Sequence, residues 1–250
     1  MPSYLVTGSA RGLGLHYVEE LLKNSANYVI ASVRNLNKAT ELQKVLSQYP
    51  KDRAAIVELD IDNPDSIKDA AAEVSKLLPE GLDVFVNNAG VNYQPSPLFE
   101  ELDLPLFEKE LNLEIINNTI LIRTFLPLVR AGKEKKFVFI TSVLGSIHLA
   151  EGMPGLNDSY CVSRAALNML IRKWGGVLKY EGITTALIHP GWVPATEIGA
   201  GIEPWMNKNA PNFARVTPKD SATGVVKLLE TLNIEKTNSF WNYDGTNLPW

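Results

Sequence analysis

Short apolar, β-rich runs alternate with longer helical stretches along almost the whole chain, and this alternation limits the fold more than any other feature. Strands are expected at residues 3–6, 28–33, 54–59, 82–86, 136–141, 183–188 and 239–242. Helices are expected at 13–23, 36–48, 66–78, 104–129, 159–180 and 218–232. Asn63-Pro64 gives the helix at 66–78 an entry signal, and Pro127 either kinks the helix at 104–129 or lies near its end. The strands read as nearly unbroken apolar runs rather than alternating ones, as strands covered on both faces do. The pattern predicts an α/β fold: a doubly wound parallel sheet with helices on both faces. No repeat, low-complexity tract or linker divides the 250 residues, so one domain spanning 1–250 is expected. The segment at about 191–216 is too long for an inert connection and is expected to act as a lid or pocket wall.

Composition narrows the function. A net charge of −4 carries no electrostatic footprint for nucleic acid or an anionic membrane. No apolar run reaches the roughly 20 residues of a transmembrane helix. The single cysteine, Cys161, excludes an internal disulfide and fits a reducing compartment. The first residues lack the pattern of a secretory signal, and a cytoplasmic location is expected.

Thr7-Gly8-Ser9-Ala10-Arg11-Gly12-Leu13-Gly14 joins the first strand to the first helix. Glycines there let backbone N–H groups approach a pyrophosphate at a helix N-terminus, where the helix dipole also favours anions. The second strand ends in Ser32-Val33-Arg34, without the acid that would bond a ribose 2′-hydroxyl. Arg34, joined by Arg11, suits a 2′-phosphate instead, which points to NADP(H) rather than NAD(H). Asp60 and Ile61 are placed beside the adenine, and Asn87-Asn88-Ala89-Gly90 shapes the crevice at the end of the fourth strand.

Tyr160 and Arg164 stand one helical turn apart, on the same face. A phenol ionises near pH 10, and a fixed cation within roughly 4–6 Å favours the phenolate, so Arg164 is expected to lower the Tyr160 pKa. Such a pair can deliver a proton to a carbonyl oxygen. Ser142, at the end of the fifth strand, can hold a substrate oxygen or cap a turn. His16, His148 and His189 do not form a metal-ligand spacing, and no metal is expected. His189 is expected to be packed rather than catalytic, and His148 to lie near the pocket walls. Trp192, Trp205, Met206 and Phe213 are candidates to line an apolar pocket.

Taken together, Thr7–Gly14, Asn87–Gly90, Asn112, Ser142, Tyr160 and Pro190-Gly191 resemble the short-chain dehydrogenase/reductase family nearly end to end. The segment 160–168 and the closing 240–246 are similar to the C-factor or sniffer-like carbonyl reductase subgroup. The resemblance implies a Rossmann-like fold with about seven strands, a nicotinamide cofactor, and hydride transfer between a carbonyl and an alcohol. It implies a catalytic set at Asn112, Ser142, Tyr160 and position 164. It also implies a cofactor site of Gly8, Ser9, Arg11, Gly12, Leu13, Gly14, Arg34, Asp60, Ile61, Asn88, Ala89, Gly90, Tyr160, Arg164, Pro190, Gly191, Val193 and Thr196. The partners implied are a small-molecule carbonyl or alcohol substrate and a second copy, as a homodimer or homotetramer.

The chain departs from the family at two places. Position 164 is Arg where the family has Lys: it keeps the charge and a fork for ribose hydroxyls but does not readily release a proton. After Pro190-Gly191 the direct register puts Ala195 where the family has Thr, and Thr196 fits with a one-residue insertion. The departure at 164 leaves two alternatives to a reductase: non-redox catalysis (isomerisation, dehydration or cyclisation) on the same fold, or an NADPH-binding sensor.

Overall fold

The computed structural model describes residues 1–95 and 99–250. The chain runs β1 (Ser3–Val6), α1 (Gly12–Lys23), β2 (Tyr28–Val33), α2 (Thr40–Leu46), β3 (Ala54–Glu58), α3 (Pro64–Leu77), β4 (Val84–Asn87) and α4 (Leu104–Leu111). A π-helical turn (Asn112–Asn117), α5 (Asn118–Ala131), β5 (Lys136–Ile140), α6 (Asp158–Leu178) and β6 (Thr184–His189) follow. Then come α7 (Glu197–Gly201), α8 (Glu203–Asn209), α9 (Pro218–Thr231) and β7 (Ser239–Asn242). The seven strands form one sheet in the order β3-β2-β1-β4-β5-β6-β7, parallel at every pairing.

The alternation of side chains across each strand sorts the core into two layers. Tyr4, Val6, Val29, Ala31, Val138 and Ile188 point to the face covered by Val18 and Leu21 of α1, Leu42 of α2 and Val225 of α9. Leu5, Ile30, Phe85, Phe137, Phe139 and Phe240 point to the face covered by Val74 of α3, Phe125 of α5 and Ile171 of α6. Both faces are apolar, which is why the strands read as continuous runs. At its other end β1 is tied down by Asp83, whose carboxylate accepts from Ser3 N–H (2.9 Å), Ser3 Oγ (3.1 Å) and the backbone N–H groups of Lys133 (2.8 Å) and Glu134 (3.2 Å).

The helix expected over 104–129 is broken. Between α4 and α5 the backbone passes through the π turn, where Asn118 N–H reaches back to Leu113 O as well as Ile115 O. Pro127 sits inside α5. The turn inserts a residue into the helical phase, and such insertions occur frequently at functional sites. Among the described residues no helix is long and apolar enough to cross a membrane.

Candidate active site

The strand order reverses at β1: the chain moves outward through β2 and β3, then returns to β4. In open α/β sheets the crevice beyond the carboxyl ends of the strands at such a point is where ligands bind. Here a cleft of about 840 Å³ opens there, lined by residues of the glycine turn, the ends of β2 to β6, α6 and the segment after Pro190-Gly191.

One end is built by the β1–α1 turn. Gly8 adopts φ +69°, and a Cβ on it would lie 3.0 Å from Ala89 Cα, so the position requires glycine on both counts. Gly8, Arg11, Gly12 and Leu13 line the cleft; Gly14 and Ser9 do not. The Ser9 side chain is fully buried and donates to Val6 O (2.8 Å), holding the turn from behind. Gly14 packs against the Gly8 carbonyl and the Asn88 amide. Arg34, Lys38, Asp60 and Ile61 form the far wall at the tips of β2 and β3. Arg11 pairs with Glu197 of α7 across the mouth (2.5 Å), with both side chains largely exposed.

Thr7 and the two asparagines clamp the carboxyl ends of β1 and β4. Thr7 Oγ1 donates to Asn87 Oδ1 (3.0 Å) and accepts from the N–H groups of Asn88 (2.9 Å) and Ala89 (3.0 Å). Asn88 Nδ2 donates to Thr7 O (2.9 Å), while Asn87 Nδ2 donates to Asn118 Oδ1 (2.6 Å). Asn118 Nδ2 in turn reaches Glu114 O (3.2 Å) and Glu114 Oε2 (3.4 Å). The hydrogen-bonded chain therefore runs from the glycine turn to the π turn.

At the centre of the cleft lie Tyr160 and Arg164 from α6, Ser142 after β5, and Asn88, Ala89 and Gly90 after β4. Ser142 Oγ accepts from Leu144 N–H (3.1 Å) and caps the short turn that follows, while still facing the cleft. The Arg164 guanidinium carbon lies 4.7 Å from the centre of the Tyr160 ring. Its Nη2 donates to Glu114 Oε1 at 2.8 Å, in a pair that is 4% and 0% exposed. Arg164 Nε is buried and has no partner among the described residues.

Asn112 is not brought to the other expected site residues. It is exposed and does not line the cleft; the π turn directs Glu114 inward instead, onto Arg164. A second acid, Glu110, is buried one turn earlier and accepts from Ser163 Oγ (3.0 Å) and Ser159 Oγ (3.3 Å). Burial pushes both carboxyls above their usual range, and Arg164 pulls each back. The tyrosine is also a correction. Burial raises the Tyr160 pKa above that of a free phenol, Arg164 opposes this, and Glu114 and Glu110 add to it. The net shift is upward, opposite to the expectation from Arg164 alone.

The segment at about 191–216 contains α7 and α8. Thr196 caps α7 by accepting from Gly199 N–H (3.1 Å), and it lines the cleft with Pro190, Gly191 and Val193, while Ala195 does not. Trp192, Trp205, Met206 and Phe213 all reach the cleft. Leu144, Leu156, Tyr160, Trp192, Ile202 and Met206 form one apolar cluster. Trp192 Nε1 donates to Gly199 O (3.0 Å) and Trp205 Nε1 to Pro154 O (3.1 Å), so both indoles are fixed. His189 is buried on the cleft wall and burial pushes it down to about 4, so it is neutral at pH 7. His148 is exposed, outside the cleft, and its backbone N–H donates to Trp250 O (2.8 Å). Among the described residues no group of His, Cys, Asp or Glu has the arrangement to hold a metal ion.

Sequence reasoning missed Glu110, Glu114 and Asn118. Glu110 and Glu114 lie four residues apart, a spacing that shares a helix face, but the π turn sets which side chains turn inward, and an unbroken helical period does not show it.

Residues 3–207 match the family model for short chain dehydrogenases. The chain belongs to the short-chain dehydrogenase family. It is similar to an uncharacterized oxidoreductase of Schizosaccharomyces pombe, at 30% identity over 99% of this chain and 97% of the relative. Among solved structures it is similar to the NADPH-bound carbonyl reductase from chicken fatty liver, at 33% identity and a TM-score of 0.87, covering 100% of this chain and 99% of that one. It is also similar to the carbonyl reductase Sniffer of D. melanogaster, at 26% identity and a TM-score of 0.86, with 100% of each chain covered. The family's Rossmann-like sheet of seven parallel strands is the one found here.

Proposed function

We propose that the protein is an NADP(H)-dependent oxidoreductase that reduces the carbonyl of an apolar small molecule to an alcohol, or runs the reverse. The observation that carries this reading is the meeting, in one cleft, of the β1–α1 glycine turn, the Tyr160 phenol and the Ser142 hydroxyl. The NADPH- and NADP-bound carbonyl reductases among its structural relatives support the same cofactor.

The residues present fit that group. In the β1–α1 turn the space where a Cβ of Gly12 would stand is open, room for a diphosphate to approach the backbone, and α1 begins at Gly12 with its first N–H groups free. At the far wall Arg34 and Lys38 are exposed cations, and β2 ends without an acid that could serve a ribose 2′-hydroxyl. The unpartnered Nε of Arg164 supplies a buried donor at the nicotinamide end. Asn88, Ala89, Gly90, Pro190, Gly191, Val193 and Thr196 would complete the cofactor wall.

When bound, the cofactor supplies or accepts the hydride. The chain's own part is proton transfer and orientation. The Tyr160 O–H bond breaks and its proton passes to the substrate oxygen, while the phenolate left behind lies beside the Arg164 cation. Ser142 Oγ holds the same oxygen. Trp192, Met206, Leu144 and Leu156 exclude water and favour an apolar substrate body. The non-redox and sensor readings rested on arginine at position 164. With that cation held against the Tyr160 ring, the reductase reading is favoured. We propose assembly as a dimer or tetramer, supported by the exposed Ile116 of the π turn and Val162 and Met169 of α6.

The test is NADPH consumption with diketones, quinones and bulky apolar ketones. Turnover by the wild type that disappears in Tyr160→Phe and persists in part in Arg164→Lys is the expected result. A wild type that binds NADPH and consumes none with any of these carbonyls would overturn the reading.

A further inference from the structure

Arg164 is not a free cation beside the tyrosine. Its Nη2 is fixed on Glu114 Oε1 at 2.8 Å, and Glu114 is itself fixed by Asn118, in a place where neither member of the ion pair meets solvent. Gly90 leaves the space for this pair: a Cβ there would lie 2.3 Å from Arg164 Nη2 and 3.2 Å from Glu114 Oε1. The π turn buries the Glu114 side chain, and the guanidinium carbon lies 4.7 Å from the centre of the Tyr160 ring. Four separate features of the chain therefore converge on one guanidinium position.

We infer that Glu114 is a positioning residue of this site: it holds Arg164 against Tyr160 and offsets its charge, so that the phenol keeps its proton at rest. The inference rests on the reductase reading above and deepens it. A lone guanidinium at this distance would favour the phenolate, whereas a close ion pair presents a dipole whose field on the phenol is much weaker. A protonated phenol is the acid that reduction of a carbonyl requires; a phenolate is the base that oxidation of an alcohol requires. The Glu114–Arg164 pair sets the site for reduction.

The charged and titratable groups that face Tyr160 are Arg164 and Cys161 from its own helix, Glu110 from α4 and Glu114 from the π turn. His189, on the cleft wall at the end of β6, is neutral near pH 7. The loop after β5 and the segment at about 191–216 contribute Leu144, Leu156, Trp192 and Met206 to the cluster around the ring, none of which titrates. In Glu114→Gln, Arg164 keeps Glu110 as a second buried carboxylate, so its charge is not left alone.

The experiment is the pH profile of kcat/KM for carbonyl reduction by the wild type, E114Q and E114D. The basic limb, where the phenol loses its proton, is expected at lower pH in E114Q than in the wild type and back at the wild-type position in E114D. Superimposed wild-type and E114Q profiles would overturn the inference. Should E114Q not fold, E114D decides alone: the shorter carboxylate releases the guanidinium, kcat is expected to fall about tenfold with the limb unmoved, and a wild-type kcat would overturn the inference. If the wild type reduces no carbonyl at all, it is the reductase reading that fails. The inference is then read from tyrosinate absorbance, as wild type minus Tyr160→Phe compared with E114Q minus the E114Q/Y160F double variant. Phenolate appearing at lower pH in the E114Q background supports it, and coincident titrations overturn it.

Discussion

Gly90 and Arg164 lie so close that the smallest side chain at position 90 would collide with the guanidinium, at 2.3 Å from Nη2. Glu114 Oε1 holds the same nitrogen at 2.8 Å and would itself lie 3.2 Å from the added carbon, so a side chain at position 90 crowds both members of the ion pair. Gly90→Ala is expected to displace Arg164 by a fraction of an ångström or more and to lower kcat by about 10- to 100-fold. Steady-state kinetics beside a melting curve check this: the loss should appear in kcat, and a variant with wild-type kcat would show that the contact is not needed.

Cofactor choice is expected to depend on Arg34. Replacing it with Asp puts an acid at the tip of β2, where it repels a 2′-phosphate and accepts from a 2′-hydroxyl. A charge-assisted hydrogen bond contributes about 1.5–3 kcal/mol, so kcat/KM for NADPH should fall about 10- to 100-fold while that for NADH rises. The ratio of the two, measured with one carbonyl substrate, is the readout.

Stability should fall as the pH drops below about 6.5, and His189 gives the sign. Burial pushes its folded-state pKa down to about 4, whereas the unfolded chain takes up the proton near 6.5. Between these values the unfolded state binds more protons, so stability is lost as pH falls through that window and the loss levels off below it. The gap corresponds to about 3 kcal/mol at most. Chemical denaturation across this range should show the slope in the wild type and a shallower one in His189→Gln.

Asp83 should matter for folding rather than for catalysis. Four donors converge on its carboxylate, and although burial pushes its pKa up, the hydrogen bonds from Ser3, Lys133 and Glu134 prevail and hold it below the usual carboxylate range. In Asp83→Asn one amide oxygen faces all four donors, and a loss of about 2–4 kcal/mol is expected. Because the folded pKa is the lower one, the aspartate's contribution is present at neutral pH and disappears as the pH falls through that value, so the two proteins should converge in acid. Denaturant melts at neutral and acid pH check both statements.

The sequence by itself determined whatever depends on local pattern. Strand and helix positions followed from the apolar runs, because a strand covered on both faces has to be apolar throughout. The glycine turn was legible because positive φ at Gly8 and close backbone approach restrict the residue type. Tyr160 and Arg164 were legible as neighbours because four residues make one helical turn. The cation at Arg34 needed only the end of a strand to be located. Tertiary structure decided what these residues meet. The π turn changed the helical phase, turned Asn112 to solvent and brought Glu114 inside, and a periodicity argument that assumes an unbroken α-helix cannot foresee that change. The direction of the Tyr160 shift was decided in the same way. The spacing gives the cation, but burial and the two acids from α4 and the π turn come from elsewhere in the chain, and electrostatics in a buried site sums over all of them.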